Sequence, residues 1–257
     1  MPGVRVTRLA AAASLGYLLG SFPAADLAAR AATGGATDLR AVGSRNPGAH
    51  NVSLQVGKGW GYLVMAADMA KGALACGAGR SAAGPGGAHL AGVAAVVGHC
   101  FPVWSGLRGG KGVATSVGQC AATFPAWSVV DLLVAWAGAE VPRRRGGPGG
   151  TGWYGTVDDA RWWRRRHVGA TLVSSSVWVA AATVWWRRRW PNLWGPPPSA
   201  GLPLAAAATS VVILYRLATE PPPLGGAPPP QRPGTGDGSS PLPVPPLPSL
   251  ETMRDPP

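Results

Sequence analysis

Residues 9–29 read LAAAASLGYLLGSFPAADLAA, and residues 60–78 read WGYLVMAADMAKGALACGA. About 20 apolar residues in helical conformation cross a bilayer, so each stretch is long enough to span one. Residues 88–104, AHLAGVAAVVGHCFPVW, form a third stretch of the same kind. Three such stretches in the first half of the chain predict a membrane protein that crosses the bilayer several times.

The composition supports this prediction. Charged residues make up 13% of the 257 residues, whereas an average soluble domain has roughly 25%. A net charge of +12 is also typical of proteins that bind nucleic acids. However, the three densest basic clusters flank apolar segments, where they would anchor helices and attract anionic headgroups. We therefore expect membrane lipids as partners and no nucleic acid. The clusters are Arg143 to Arg145, Arg164 to Arg166 and Arg187 to Arg189.

The distribution of basic loops predicts how the middle of the chain crosses the membrane. Residues 112–139 are mostly apolar but are interrupted by Pro125. The basic loops at residues 30–59, 105–111 and 141–166 would all favour the cytoplasmic side. The last two loops can share one side only if the chain crosses and returns between them, which a break at the proline permits. We therefore predict two short helices around Pro125.

The remaining segments complete the predicted architecture. Residues 167–186 and 201–217 are apolar, which gives an all-α membrane bundle of about seven transmembrane helices. Residues 221–257 are largely Pro, Gly and Ser and cannot bury enough apolar surface to fold, so we predict a disordered tail. The membrane domain then covers residues 1–220, with an Arg- and Gly-rich insertion at 141–166.

Two ionisable residues lie inside the second apolar stretch. Asp68 and Lys71 are three residues apart, so they would share one face of a helix. Ionisable groups at membrane depth usually have a function, but a self-compensating structural ion pair is equally compatible with this spacing. We expect no metal, because Cys76, Cys100 and Cys120 lack paired ligand spacing.

Two polar loops carry the sequence features that suggest chemistry. Residues 38–51 read DLRAVGSRNPGAHN, which combines small residues, hydroxyl and amide groups, and fixed cations suited to a phosphate. Residues 106–115 read GLRGGKGVAT and lead into a helix, whose N-terminus favours an anion. This second loop is not a Walker A motif, because Gly112 follows Lys111 where Ser or Thr is required.

Five short motifs occur in one order along the chain: residues 20–23 (GSFP), 43–51, 68–72 (DMAKG), 98–102 (GHCFP) and 109–115 (GGKGVAT). Together, over about residues 15–125, they resemble the bacterial acyl-phosphate:glycerol-3-phosphate acyltransferases of the PlsY type. The resemblance implies a plasma-membrane enzyme of seven helices with its active site on the cytoplasmic face and with no metal or cofactor. It also implies transfer of a fatty acyl group from acyl phosphate to glycerol 3-phosphate, giving lysophosphatidate.

The same resemblance implies which residues form the site. The implied catalytic residues are Ser44, His99 and Lys111. His99 also has a simpler interpretation, as a core histidine that bonds across helices. The resemblance implies Asn46, Gly48, Asn51 and Thr115 as substrate-binding residues. The cations and glycines of the two polar loops add Arg40, Gly43, Arg45, Gly109, Gly110 and Gly112 to the predicted substrate-binding residues.

The chain departs from the family pattern at several positions. This chain has Arg45 where the family has Gly, Leu54 where it has Arg, and Glu220 where it has Asn. Gly169 replaces a residue that carries a hydroxyl group in the family, and Leu217 replaces a His. Two alternatives therefore stay open. The chain could be a non-catalytic membrane homologue that binds anionic lipid or partners an active enzyme. It could also be a small-anion transporter, although it lacks the inverted repeats typical of that class.

Overall fold

The computed structural model describes residues 2–130, residue 133 and residues 157–221. Every regular element in these ranges is helical, which confirms the all-α prediction. Most of the predicted tail, and residues 141–156 of the predicted insertion, lie outside the described residues. The helices are α1 (Pro2–Gly20), α2 (Ala24–Thr33), α3 (Ala49–Gln55), α4 (Lys58–Cys100), α5 (Val113–Thr123), α6 (residues 125–130), α7 (Val157–Arg188) and α8 (Gly201–Thr219), with a 3₁₀ turn at Val103–Ser105.

The predicted first span divides into two helices. Helix α1 ends at Gly20 and α2 begins at Ala24, so a single helix over residues 9–29 is wrong. The break precedes Pro23, because a proline disfavours helical backbone in the residue before it and has no N–H to donate. Helix α2 then packs its alanine face into an apolar cluster with α3, α4 and the first loop. The buried members of this cluster are Ala25, Ala28, Ala29, Leu39, Val52, Val56 and Val64.

Helix α4 is a hairpin of two helices joined by a tight bend. Ala83 (φ −140°, ψ 21°) and Gly84 (φ 66°, ψ −156°) leave helical geometry, and Pro85 starts the second half. The two halves lie in close contact, because a Cβ on Gly79 would collide with the Gly87 carbonyl. Such small residues allow membrane helices to approach closely. The bend confirms that residues 60–78 and 88–104 form separate antiparallel segments.

The α4 hairpin is the scaffold on which α1 and α5 pack. A Cβ at Gly16 or Gly20 of α1 would collide with the backbone of the second half of α4. On the other side, a Cβ at Gly72 of α4 would collide with the backbone of α5, as a Cβ at Gly118 of α5 would with that of α4. Because these glycines remove side-chain bulk, α1 and α5 can pack closely against the α4 backbone.

The predicted break at Pro125 is present. Phe124 leaves helical geometry (φ −141°, ψ 61°), which ends α5 and separates it from α6. The carbonyl of Thr123 at this break accepts a hydrogen bond from Asn192 Nδ2 at 2.9 Å. Trp194 Nε1 donates to the Ala121 carbonyl at 2.8 Å, so the segment between α7 and α8 covers the break. The continuation of the second short helix beyond residue 133 lies outside the described residues.

Helix α7 starts well before the predicted boundary at His167. It begins at Val157, so the Arg164 to Arg166 cluster lies on a helix and the prediction of a loop over all of 141–166 is wrong. The reason is local, since residues 157–168 contain no Gly or Pro to interrupt a helix. Two stretches of the described chain, Lys58–Ser105 and Gly201–Thr219, are long and apolar enough to cross a membrane.

Candidate active site

A polar cleft opens at one end of the helix hairpin. It is bounded by the α1–α2 turn, the first loop, α4 and the Gly-rich loop that precedes α5. Its polar lining consists of two groups, one around Asp26 and one around Asp68. The lining residues used below are Asp26, Arg40, Asp68, Lys71, His99, Ser105, Gly109 and Gly110.

The first loop is shaped from within by Asn51. Its Oδ1 accepts the Ser44 backbone N–H at 3.1 Å, and its Nδ2 donates to the carbonyls of Leu39 (3.0 Å) and Val42 (3.2 Å). Asn51 is 0% exposed, and Gly43 (φ 54°) lies so close that a Cβ there would be 2.5 Å from Asn51 Oδ1. The structure thus gives Asn51 and Gly43 a role in loop shape, whereas Ser44 is partly exposed.

Arg45 occupies a backbone position that favours glycine. Its φ is 60°, in the left-handed region, and its N–H donates to the Val42 carbonyl at 2.9 Å to close a turn. A non-glycine residue in this conformation costs roughly 1–2 kcal/mol. The next turn is closed by the Gly48 N–H, which donates to the Asn46 carbonyl at 2.9 Å. Arg45 and Asn46 are partly exposed, so both side chains remain available to a ligand.

Replacing Arg45 with glycine separates the backbone role of this residue from its charge. We expect Arg45→Gly to raise the free energy of unfolding by up to about 1 kcal/mol, because relief of the left-handed strain exceeds the entropy cost of glycine. We also expect the KM for glycerol 3-phosphate to rise about 3- to 10-fold if the guanidinium contacts phosphate. Adding Leu54→Arg, at an exposed position of α3, should recover part of this loss. An unchanged KM in Arg45→Gly would show that Arg45 is only a solvated loop residue.

Arg40 ties the two polar loops together. Its Nη1 and Nη2 bind the two carboxylate oxygens of Asp26 at 2.6 and 3.1 Å, and its Nε donates to the Arg108 carbonyl at 2.9 Å. Ser105 Oγ also donates to Asp26 Oδ2 at 3.2 Å. This planar fork is the geometry in which arginine binds carboxylates best. Sequence analysis did not identify Asp26, although a carboxylate within an apolar run is the signal that could have revealed it.

The Gly-rich loop is held from one side by backbone carbonyls of α4 and from the other by the Arg216 side chain. The N–H groups of Gly109 and Gly110 donate to the carbonyls of Cys100 and His99, each at 3.1 Å. The carbonyls of the same two glycines accept from Arg216 of α8, Nη2 to Gly109 at 2.7 Å and Nε to Gly110 at 3.2 Å. These two N–H groups therefore donate to carbonyls of α4. Arg216, which sequence analysis did not single out as a site residue, holds the loop through its carbonyls.

The residues that lead from this loop into α5 come next in the chain. Gly112 (φ 89°) is the N-cap of α5, where the first N–H groups of a helix lack partners within the helix. Lys111 Nζ lies 2.9 Å from Glu220 Oε2, with exposed side-chain fractions of 22% and 13%. Thr115 is 0% exposed, and its Oγ1 has no hydrogen-bond partner among the described residues. Two of the predicted site residues lie in this segment. Of these two, Lys111 is partly exposed, whereas Thr115 is buried.

A second group of charges lies deeper in the cleft. Asp68 Oδ1 is 2.9 Å from Lys71 Nζ and 3.5 Å from His99 Nδ1, and Lys71 Nζ also donates to the Phe22 carbonyl at 3.2 Å. A Cβ on Gly110 would collide with the His99 ring, so the loop lies directly on the imidazole. His99 therefore faces across the two halves of α4, as the core interpretation requires, and also borders the cleft. Its catalytic role stays a prediction.

The other altered positions lie outside the lining of the cleft. Leu54 is 46% exposed, whereas Leu217 is buried with Val96, Cys100 and Ile213. Gly169 is exposed, and a Cβ there would meet open space. The hydrophobic residue at 217 thus contributes to packing between α4 and α8.

The described residues form a helical bundle with stretches long and apolar enough to span a membrane. A polar cleft lies beside a Gly-rich loop that carries cations. Together these features define an integral membrane protein whose site suits phosphorylated ligands. The family model described as glycerol-3-phosphate acyltransferase matches residues 10–144, and the chain belongs to this family. This chain is similar in structure to PlsY, an integral membrane glycerol 3-phosphate acyltransferase, as seen in the crystal structure of its glycerol 3-phosphate form. The TM-score is 0.56 at 28% identity, covering 81% of this chain and 87% of PlsY. The lysophosphatidic acid form gives 0.54 at 26% identity.

Curated relatives support the same family. Glycerol-3-phosphate acyltransferase 4 of Dehalococcoides mccartyi is 47% identical over 105 residues, which are 40% of this chain and 56% of the relative. The glycerol-3-phosphate acyltransferase of a Jannaschia species is 46% identical over 126 residues, 49% of this chain and 60% of the relative. The chain therefore spans little more than half the length of the curated relatives that it matches.

Proposed function

We propose that this protein transfers a fatty acyl group from acyl phosphate to glycerol 3-phosphate and forms lysophosphatidate for phospholipid synthesis. The observation that carries the proposal is the placement of the two phosphate-type loops. Arg40 of the first loop binds the Arg108 carbonyl of the second at 2.9 Å, so the two loops lie side by side at one cleft. Such a site can hold two phosphorylated substrates close enough to align a hydroxyl with a carbonyl.

The chemistry requires positioning more than activation. In the transfer, the glycerol hydroxyl oxygen attacks the acyl carbonyl carbon, the bond from that carbon to the phosphate oxygen breaks, and the departing phosphate accepts the hydroxyl proton. Lys111 and the N-terminus of α5, which directly follow the cleft-lining Gly110, would hold a phosphate. Ser44, Arg45 and Asn46 lie on the first loop between the cleft-lining residues Arg40 and Pro47 and would contact the other phosphate from there. Because acyl phosphate carries a good leaving group, this route needs no enzyme nucleophile. His99 borders the cleft within reach of the same loop.

The site would face the cytoplasm of a bacterial plasma membrane. The support is electrostatic, because both loops at the cleft are basic, and basic loops stay on the cytoplasmic side of a membrane. Arg40, Arg45 and Lys58 belong to the first loop region, and Arg108 and Lys111 to the second. The acyltransferase names of the relatives favour an enzyme over the non-catalytic alternative.

Vesicles of known orientation test the reaction and the membrane side together. We expect labelled glycerol 3-phosphate and palmitoyl phosphate to give lysophosphatidate in inside-out vesicles that contain the protein. Right-side-out vesicles should give product only after permeabilisation, because a charged phosphate does not cross a sealed bilayer. Vesicles from cells lacking the protein are the control. No product in either orientation, from protein shown to be folded, would refute the activity. Product in sealed right-side-out vesicles would refute only the orientation.

A further inference from the structure

The ammonium group of Lys111 contacts a carboxylate that the chain itself supplies. Glu220 follows the last residue of α8, and its Oε2 lies 2.9 Å from Lys111 Nζ. Both side chains are largely shielded, with exposed fractions of 22% for Lys111 and 13% for Glu220. A carboxylate oxygen at this distance occupies a position that a phosphate oxygen would take on the same cation.

The placement of Glu220 is fixed by its neighbours on α8. One turn earlier, Arg216 binds the carbonyls of two successive residues, Gly109 and Gly110. Leu217 is buried against α4, so the end of α8 is anchored both to the Gly-rich loop and to the core. The contact with Lys111 is therefore part of a defined junction between α8 and the loop.

Glu220 compensates one of the two cations at this junction. Lys111 is a partly exposed cation of the Gly-rich loop, and Glu220 compensates it directly. Arg216 adds a positive charge, but its guanidinium is committed to two loop carbonyls and to the face of Phe101 at 5.5 Å. A phosphate arriving at Lys111 must therefore compete with, or displace, a negative group that is already there.

We propose that Glu220 is a specificity-determining residue, an internal carboxylate that occupies the anion position of Lys111 and so sets the affinity for phosphorylated substrates. The inference rests on the proposed function, in which Lys111 contacts a substrate phosphate. Phosphate binding then requires Glu220 to release Lys111. A substrate phosphate with two negative charges displaces the single charge of the carboxylate, whereas a singly charged or neutral analogue competes poorly.

The variant Glu220→Gln removes the charge and keeps the size and the acceptor oxygen of the side chain. We expect it to lower the Kd for glycerol 3-phosphate, measured by isothermal titration calorimetry on purified protein, by roughly 5- to 30-fold. Asp237→Asn is the matched control, since Asp237 belongs neither to the two polar loops nor to α8 in the sequence. This control makes the same charge change at a residue without a proposed role and should alter the Kd by less than about twofold.

The outcomes separate the inference from the proposed function. If Glu220→Gln tightens binding while neither protein forms lysophosphatidate, the inference stands and the acyl transfer fails. If both proteins form lysophosphatidate but the Kd is unchanged or higher in Glu220→Gln, Glu220 orients Lys111 and the inference is wrong. No binding of glycerol 3-phosphate by either protein overturns both. Glu220→Ala provides the same comparison if the glutamine variant is not recovered folded.

Discussion

Replacing Asp68 with asparagine is expected to lower the free energy of unfolding by about 3–5 kcal/mol, because removing one partner leaves a buried charge uncompensated. Asp68 is 3% exposed and Lys71 is 7% exposed, so water does not reach this pair freely. The asparagine has the same shape, which confines the change to the charge. The measurement is unfolding by titration with a denaturing detergent.

The double variant Asp68→Asn/Lys71→Met removes both charges and should recover most of the lost stability. This follows because replacing a whole buried ion pair is often neutral, whereas breaking one is costly. Asp38→Asn, on an exposed turn, serves as the control and should change the free energy of unfolding by less than about 0.5 kcal/mol. A single variant as stable as the unmodified protein would contradict the expectation.

The double variant also decides between the two interpretations of the pair. The pair lines the cleft, and Asp68 also lies 3.5 Å from His99 Nδ1. A stable double variant that forms lysophosphatidate at an undiminished rate would show that the pair is structural. A stable but inactive double variant would show that these charges act on the substrate or on His99.

Much of the fold could be predicted because local chemistry determines it. The bend at Gly84 falls between two apolar stretches, and the break at Phe124 precedes a proline that no helix interior accommodates easily. The division of α1 from α2 was missed although Pro23 was visible, because length alone was used to judge residues 9–29. Likewise, the basic character of residues 157–166 suggested a loop, but charge does not prevent a helix.

Only the parts of the site that consist of residues close together in the sequence could be predicted. The two loops were identified from their own residues, yet the contacts that join them involve partners distant in sequence. Asp26 binds Arg40, Arg216 binds the Gly-rich loop, and Glu220 contacts Lys111. No periodicity or spacing reveals such pairs, because they arise from the packing of α2 and α8 against the two polar loops. The left-handed backbone of Arg45 was not predicted, although the family's glycine at this position is the signal that could have revealed it.

Replacing Lys111 with alanine is expected to raise the Kd and the KM for glycerol 3-phosphate about 10- to 150-fold. A hydrogen bond to a charged group contributes about 1.5–3 kcal/mol, which gives this range. The protein should remain folded and inserted in the membrane, because Lys111 lies on a loop, is partly exposed and supplies charge rather than packing. The measurements are titration calorimetry for the Kd and steady-state kinetics for the KM. Lys58→Ala is the matched control, as Lys58 is an exposed lysine at the start of α4.

The contact between Lys111 and Glu220 adds a second test of this prediction. In Lys111→Ala the Glu220 carboxylate remains at the site and repels a phosphate, so the loss should exceed that of Lys111→Ala/Glu220→Gln. The gain from Glu220→Gln should also be smaller without Lys111 than with it, because the residues act through one contact. Equal affinity for glycerol 3-phosphate in Lys111→Ala, Lys58→Ala and the unmodified protein would show that the phosphate binds elsewhere. Arg40, Arg45 and the N-terminus of α5 would then be the remaining candidates for that contact.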